Sequence, residues 1–323
     1  MSLQDSNELQ PRTAADLTDL GGRMLIGKGA VADPSRGLEL LRRAMAEGDG
    51  DAAALLAVLA GAGAWVPQSW DTALDLLQTG AVLGSTRAQG QLRLLAGPAA
   101  AGSQAEDWPA RRRRIDLAPW LAAPDRHVLW DEPRVRMSRA FAPPGVGAWV
   151  INTVRGRMRQ ALMYHGDTKT EVVDPHRSCS DYEFDLIGSD LILILIRNRI
   201  AAATGLPVAA MEPPRVFHYA TGQEIKAHYD RLNDGIGNYA DSGYQGDRIV
   251  TFLLYLNDDF DGGDLDFPLV GQRFKGREGD AVYFAHVDNS GAPDRKSLHA
   301  GLPILRGEKY VLSQWIHDRP LVL

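Results

Sequence analysis

The chain has 323 residues, 45% hydrophobic and 24% charged, with a formal net charge of −6 at pH 7. It is too long for one small core, so two domains are expected, and its acidic balance gives no electrostatic reason for nucleic-acid binding. The single cysteine, Cys179, excludes an internal disulfide and cysteine-rich zinc sites. The polar start of the chain, residues 1–13, lacks the apolar core of a signal peptide, and the longest apolar run, Leu191 to Ile196, is too short to span a bilayer. The expectation is a cytoplasmic protein that contacts neither membrane nor nucleic acid.

Residues 14–96 repeat themselves. Gly37-Leu38-Glu39-Leu40-Leu41 returns as Ala73-Leu74-Asp75-Leu76-Leu77 at an offset of 36 residues, and at the same offset Gly27 meets Gly63, Gly48 meets Gly84 and Ala52 meets Ala88. Such a period marks stacked helix pairs, single units of which cannot bury their apolar faces alone. Asp33 before Pro34, Ser69 and Ser85 stand where helix N-caps are needed. Leu38, Leu41 and Met45 form one apolar stripe; Leu74, Leu77 and Ala81 form the next. This pattern resembles Sel-one-like, tetratricopeptide-related repeats, which implies either a protein partner or a helical cap on the neighbouring domain.

A linker is expected over residues 97–118, opening with the small-residue stretch Gly97 to Ser103. The run Arg111 to Arg114 within it reads as a solvated face. In residues 119–323 the texture changes. Arg134 to Arg139 alternates as a half-buried strand, and Val146–Met163 and Gly188–Thr204 read as helices. From Pro214 onward short strands are predicted at Arg215–Ala220, Arg248–Leu256, Asp264–Phe267, Gln272–Lys275, Ala281–Phe284 and Lys309–Ile316. Together these give an α+β fold: a jelly-roll sandwich with flanking helices, preceded by a small all-α helical-repeat domain.

The chemistry gathers in the strand-rich part. His228 and Asp230, two apart, point to one face of a strand and can grip one ion together. His299 follows in Ser297-Leu-His-Ala-Gly-Leu-Pro303. Two histidines and one carboxylate on one face of an octahedral metal leave three open positions, the arrangement of non-haem Fe(II) oxygenases. Lys309, at the start of the last long strand, supplies a fixed cation for a cosubstrate's distal carboxylate. Ser313 faces the same way four residues on, and Tyr219 on an adjoining strand can donate its phenol to the same carboxylate.

The runs Tyr219 to Asp230, Arg248 to Asn257, Gly262-Gly-Asp-Leu265 and Ser297 to Tyr310 resemble the prolyl 4-hydroxylase family of Fe(II)- and 2-oxoglutarate-dependent dioxygenases. The resemblance is dense from Met211 to His317 and thinner from Trp130 to Ala210. It implies a double-stranded β-helix core, Fe(II) on His228, Asp230 and His299, and the 2-oxoglutarate C5 carboxylate on Lys309 with support from Tyr219 and Ser313. It also implies substrate contacts at Arg248 and Trp315. Dioxygen is the second cosubstrate, and because members are commonly ascorbate-dependent, ascorbate joins the implied cofactors. The implied reaction hydroxylates an unactivated C–H bond, that of a prolyl residue in a protein or peptide, with release of succinate and CO2.

One departure bears on the substrate. Members that act on peptidyl proline often carry an aromatic residue three before the first metal histidine, where this chain has Ile225. The loop Arg231 to Asp247, rich in Gly, Asn, Asp and Tyr, is a candidate lid. A free amino acid or a peptide natural product therefore stands beside prolyl protein as substrate, and an inactive repeat-bearing interaction protein stands as a third reading. Among the remaining histidines, His286 is the competitor to His299, since it too follows an apolar strand. Cys179 has no visible base partner, which argues against nucleophilic catalysis.

Overall fold

The computed structural model describes residues 13–97, 106–165, 170–173, 178–232 and 246–321. The expected polar tail up to residue 12, linker residues 98–105 and most of the candidate lid (233–245) lie outside the described residues. Two compact units are present. One comprises Met1–Pro119 and Leu186–Leu195, the other Trp120–Asp185 and Ile196–Leu323. Among the described residues no helix is long and apolar enough to cross a membrane.

The first unit is built from α1 (Ala14–Ile26), α2 (Pro34–Ala46), α3 (Gly50–Ala62), α4 (Trp70–Val82) and α5 (Thr86–Ala96). The 36-residue offset read in the sequence carries α1 onto α3 and α2 onto α4 at both ends. Each start has a side-chain cap: Thr13, Asp33, Asp49, Ser69 and Ser85 accept a hydrogen bond from a backbone N–H of the first turn. Gly27 and Gly63 close α1 and α3 in the left-handed conformation, both at φ +68°, which is why glycine recurs there. Leu38, Leu41 and Ala44 of α2, and Leu74, Leu77 and Ala81 of α4, are buried. Paired helices meet backbone to backbone. A methyl group on Gly37 would lie 2.8 Å from the Gly21 carbonyl oxygen, and one on Gly80 would lie 2.7 Å from that of Gly50.

The basic run falls in a short helix, α6 (Trp108–Arg114). It is less free than the sequence suggests: Arg111 pairs with Glu106, and Arg112 pairs with Asp71 and Asp75 of α4. Leu186–Leu195 groups with this unit through Arg87, which donates to the Gly188 and Ser189 carbonyls, and Gln91, whose Oε1 accepts from the Leu191 N–H at 2.8 Å.

The second unit carries α8 (Val146–Val154), while the short α7 (Ala118–Leu121) and α9 (Leu191–Thr204) each span the boundary, α9 belonging to this unit from Ile196 on. The helix expected over Val146–Met163 ends early, at Val154: Arg155 is extended, Gly156 turns the chain at φ +79° and strands follow. The one expected from Gly188 begins at Leu191, where the Asp190 carboxylate accepts from the Leu193 N–H at 2.9 Å.

Sixteen strands make up the sheets among the described residues: β1 (His127–Trp130), β2 (Val135–Ser138), β3 (Arg159–Gln160), β4 (Leu162–His165), β5 (Thr170–Val173), β6 (Ser180–Glu183), β7 (Arg215–Ala220), β8 (Ile225–His228), β9 (Arg248–Tyr255), β10 (Asp261–Gly262), β11 (Leu265–Phe267), β12 (Gln272–Phe274), β13 (Ala281–Ala285), β14 (His299–Gly301), β15 (Ile304–Arg306) and β16 (Glu308–His317). The large sheet runs β1-β2-β13-β9-β16-β7-β6-β3 and the small one β12-β11-β14-β8, with every pairing antiparallel. This is the double-stranded β-helix. Its core joins Phe217, Tyr219, Val282, Phe284, Val311 and Trp315 of the large sheet to Leu265 and Phe267 of the small one.

Candidate active site

The two sheets enclose a cavity, and strand periodicity decides what lines it. Alternate residues of β16, namely Lys309, Val311, Ser313 and Trp315, face it, as do Phe217 and Tyr219 of β7 and Thr251 and Leu253 of β9. The small sheet contributes Ile225 and His228 from β8, Leu265 from β11, and His299 and Gly301 from β14. The register of β16 against β7 sets Tyr219 directly opposite Lys309.

His228, Asp230 and His299 each offer one ligand atom, and these atoms lie within 4.8 Å of one another. Register accounts for the two histidines, since His299 of β14 pairs opposite His228 of β8. Asp230 arrives differently from the expected strand geometry: β8 ends at His228, and the carboxylate comes from the residues just beyond it. Asp230 Oδ1 is 3.4 Å from His228 Nε2, and Oδ2 is 3.5 Å from His299 Nε2. Each ring is oriented from behind. His228 Nδ1 lies 2.8 Å from the Lys226 carbonyl oxygen, and His299 Nδ1 lies 3.0 Å from that of Ser297. A carbonyl can only accept, so both Nδ1 atoms carry the proton and both Nε2 lone pairs face Asp230.

The charges suit a cation. Burial alone would raise the Asp230 carboxyl, but positive charge on His299, His228 and His286 when these are protonated in acid holds it well below the usual carboxylate range, so it is ionised where they are neutral. Burial, reinforced by repulsion from His228, pushes His299 down to about 3, so it is a neutral donor at physiological pH. The donor set therefore fits a divalent metal of the non-haem iron type.

Lys309 is buried at the other part of the cavity wall. Its Nζ donates to the Gly263 carbonyl at 2.6 Å and is ringed by Tyr255, Phe260 and Tyr219, 5.2, 5.9 and 6.0 Å from their centroids. Burial pushes its ammonium down to about 8. Gly263, at φ +69°, is required there: a methyl group would come within 2.4 Å of Ile304 and 3.3 Å of the Lys309 stem. Beyond the bond to the Gly263 carbonyl, the ammonium has donor capacity left for an anion.

Arg248 and Trp315 come together, with the guanidinium 4.0 Å from the indole centroid. Trp315 is in the cavity wall, and Arg248 lies behind it. Its indole N–H is buried and has no hydrogen-bond partner among the described residues.

Two residues of this region, Glu212 and Thr251, escaped the sequence reading. Glu212 takes both sides of the Arg248 guanidinium, at 2.6 and 2.8 Å, and also His317 Nε2 at 2.6 Å. Burial opposes its charge, yet Arg248 and His317 together hold its carboxyl below the ordinary value. Thr251 Oγ1 lies 2.5 Å from Asp230 Oδ2 and 2.7 Å from His286 Nε2. His286 therefore stands behind Thr251, outside the three-ligand cluster, while His299 is within it. Only the alternation along β9, which sends Thr251 to the face of Leu253, could have flagged Thr251 beforehand. His218 faces away, stacked on Tyr310, and the Tyr229 hydroxyl donates to the Arg295 carbonyl.

The 2OG-Fe(II) oxygenase superfamily model matches residues 214–317. The chain is 33% identical over 211 residues to prolyl 4-hydroxylase 13 of Arabidopsis thaliana, covering 60% of this chain and 74% of that protein. It is 30% identical over 205 residues to prolyl 4-hydroxylase subunit alpha-1 of Homo sapiens, covering 62% of this chain and 37% of that protein, so it spans little more than a third of the animal subunit. Among solved structures, the viral collagen prolyl hydroxylase of Paramecium Bursaria Chlorella virus-1 in complex with 2-oxoglutarate is 21% identical at a TM-score of 0.45, covering 59% of this chain and 99% of that one. With the matched span holding His228, Asp230, His299 and Lys309, the chain belongs to the prolyl 4-hydroxylase-type 2OG-Fe(II) oxygenases, dioxygenases that use Fe(II), 2-oxoglutarate and dioxygen.

Proposed function

We propose that this enzyme hydroxylates a prolyl residue of a protein or peptide, coupled to decarboxylation of 2-oxoglutarate to succinate and CO2. The observation that carries the reading is one cavity holding both the His228–Asp230–His299 cluster and the buried Lys309 ammonium. His228 Nε2, Asp230 and His299 Nε2 would hold Fe(II), which when bound supplies the oxidising chemistry. Lys309 anchors the distal carboxylate of 2-oxoglutarate, with Tyr219 and Ser313 on the same wall beside it. The apolar lining from Leu253, Leu265, Ile304 and Val311 excludes water from the reacting centre. Trp315 offers its unpartnered indole N–H to a substrate carbonyl, and Arg248 holds the ring in place from behind.

A second substrate class is supported by Ile225. It lines the cavity opposite Gly301, so the wall there is aliphatic where prolyl-acting members often place an aromatic residue. A free amino acid or peptide natural product fits such a wall. Turnover of labelled 2-oxoglutarate against prolyl peptides and free amino acids, with and without ascorbate, separates the two. Succinate release stimulated by prolyl peptides supports the first reading, stimulation by free amino acids alone replaces it with the second, and absence of any 2-oxoglutarate turnover by iron-loaded protein overturns both.

A further inference from the structure

The metal cluster has a support that its histidines do not use. Asp230 is 5% exposed, Thr251 2% and His286 fully buried. The Thr251 hydroxyl lies 2.5 Å from Asp230 Oδ2 and 2.7 Å from His286 Nε2. A threonine hydroxyl has one proton to give, and it touches two acceptor-capable atoms. An ionised carboxylate can only accept, and two oxygens at 2.5 Å without a proton between them would repel. The hydroxyl proton therefore goes to Asp230 Oδ2. The hydroxyl oxygen must then accept from His286, which fixes the proton of that imidazole on Nε2. The other ring nitrogen agrees: His286 Nδ1 is buried with no hydrogen-bond partner among the described residues, a bearable state for a lone pair and a costly one for an N–H. The His286 ring is held by packing, edge-on to Phe284 with centroids 5.3 Å apart.

We infer that Thr251 and His286 form a directed relay, His286 Nε2–H to Thr251 Oγ1–H to Asp230 Oδ2, that sets the orientation of the metal carboxylate. Both are positioning residues, since neither offers an atom to the three-ligand cluster. The relay engages one oxygen of Asp230 and leaves Oδ1, which faces His228 Nε2 at 3.4 Å, with its lone pairs open. Without the relay the carboxylate would turn away from the orientation in which Oδ1 is presented beside His228 Nε2, and the grip on a metal would weaken. The relay thus couples a residue on β13's exit, His286, through β9 to the metal side of the cavity, between segments far apart in sequence.

The inference rests on the proposed metal role of Asp230, and the test keeps the two apart. Mn(II) is titrated into the full-length protein and its Thr251→Val, Thr251→Ser and His286→Phe variants, with bound ion read by electron paramagnetic resonance and folding by thermal melt. The 2-oxoglutarate KM is measured in parallel. Loss of an outer hydrogen-bond partner commonly weakens metal affinity by about 10- to 100-fold. Thr251→Val, which keeps shape and removes the hydroxyl, is expected to lose about that much, Thr251→Ser to recover most of it, and His286→Phe to shift the same way by less. The 2-oxoglutarate KM at saturating metal should stay within about twofold, because Lys309 is untouched. If the parent binds Mn(II) and folded Thr251→Val binds it equally well, or if folded Thr251→Ser fails to restore affinity, the relay is overturned. If the parent binds no Mn(II), the metal reading itself fails. Should Thr251→Val not fold, His286→Phe decides alone, with undiminished affinity counting against the relay.

Discussion

At the scale of single residues, the buried ions of the second unit carry the sharpest consequences. Lys309 sits at a depressed value of about 8 because its surroundings are apolar. Replacing it with Ala removes a charge-assisted contact worth about 1.5–3 kcal/mol, so the 2-oxoglutarate KM should rise about ten- to a hundredfold with little change in metal affinity. The same depression sets two pH trends of opposite sign. As pH rises through about 8 the unliganded site loses its cation, so 2-oxoglutarate affinity should fall. Between that value and the ordinary 10.5, the unfolded chain still holds the proton and the folded one does not, so the Lys309 contribution to folding stability grows with pH. Cosubstrate titrations and urea melts from pH 7 to 10 check both slopes. Glu212 is the companion case. Glu212→Ala strands the Arg248 guanidinium without its carboxylate and should destabilise the protein by about 3–5 kcal/mol, measured by urea unfolding. Motif spacing made His228, His299 and Lys309 legible, because each lies in a short run of its own strand. Glu212 and Thr251 were not, nor was the place of His286 behind Thr251, since what unites them with Arg248 and Asp230 is strand pairing across segments that sequence order keeps apart.

At the scale of elements, repetition and alternation were the readable signals. The 36-residue period marked the helix pairs and the caps Asp33, Ser69 and Ser85 of the first unit, and short runs set off by Gly, Pro, Asp and Asn placed β7 residue for residue and β9, β13 and β16 to within a residue or two at each end. The misread stretch, Val146–Met163, is helical only to Val154: Arg155 is already extended at ψ 129°, and Gly156 then turns the chain at φ +79°. The helix crossings offer a test of how tightly the repeats are built. In an isolated helix Gly80→Ala would gain about 1 kcal/mol from propensity. Here the new methyl would meet the Gly50 carbonyl oxygen at 2.7 Å, and overpacking of this kind costs about 1–3 kcal/mol. A lowered thermal midpoint for Gly80→Ala is expected. Gly84→Ala, with nothing within 4 Å of its added methyl but a φ of +92°, reports backbone strain alone for comparison.

At the scale of the whole molecule, chain order and spatial grouping diverge. Residues 14–96 read as a separable block, yet Leu186–Leu195 groups with Met1–Pro119. Leu191, Ile192, Leu193 and Ile194 are at most 3% exposed. A protein beginning after Pro119 would lose the Arg87 and Gln91 partners of that stretch and present its leucines and isoleucines to water. It should aggregate, as light scattering after expression will show, and a soluble, folded truncation would refute this. The cavity between the sheets has a thermodynamic corollary. The three proposed metal ligands hang from β8 and β14 or just past them, whereas the proposed cosubstrate cation belongs to β16 in the opposite sheet, so a metal and 2-oxo acid bound there would together tie one sheet to the other. Anything that binds the folded state alone stabilises it by mass action, by about 2.7 kcal/mol at a hundredfold excess over Kd. Mn(II) with 2-oxoglutarate should raise the melting temperature by about 5–10 °C, and by more than either alone. Iron supply would then govern how long the enzyme survives in a cell as well as how fast it works, with starved molecules the first to unfold and be degraded.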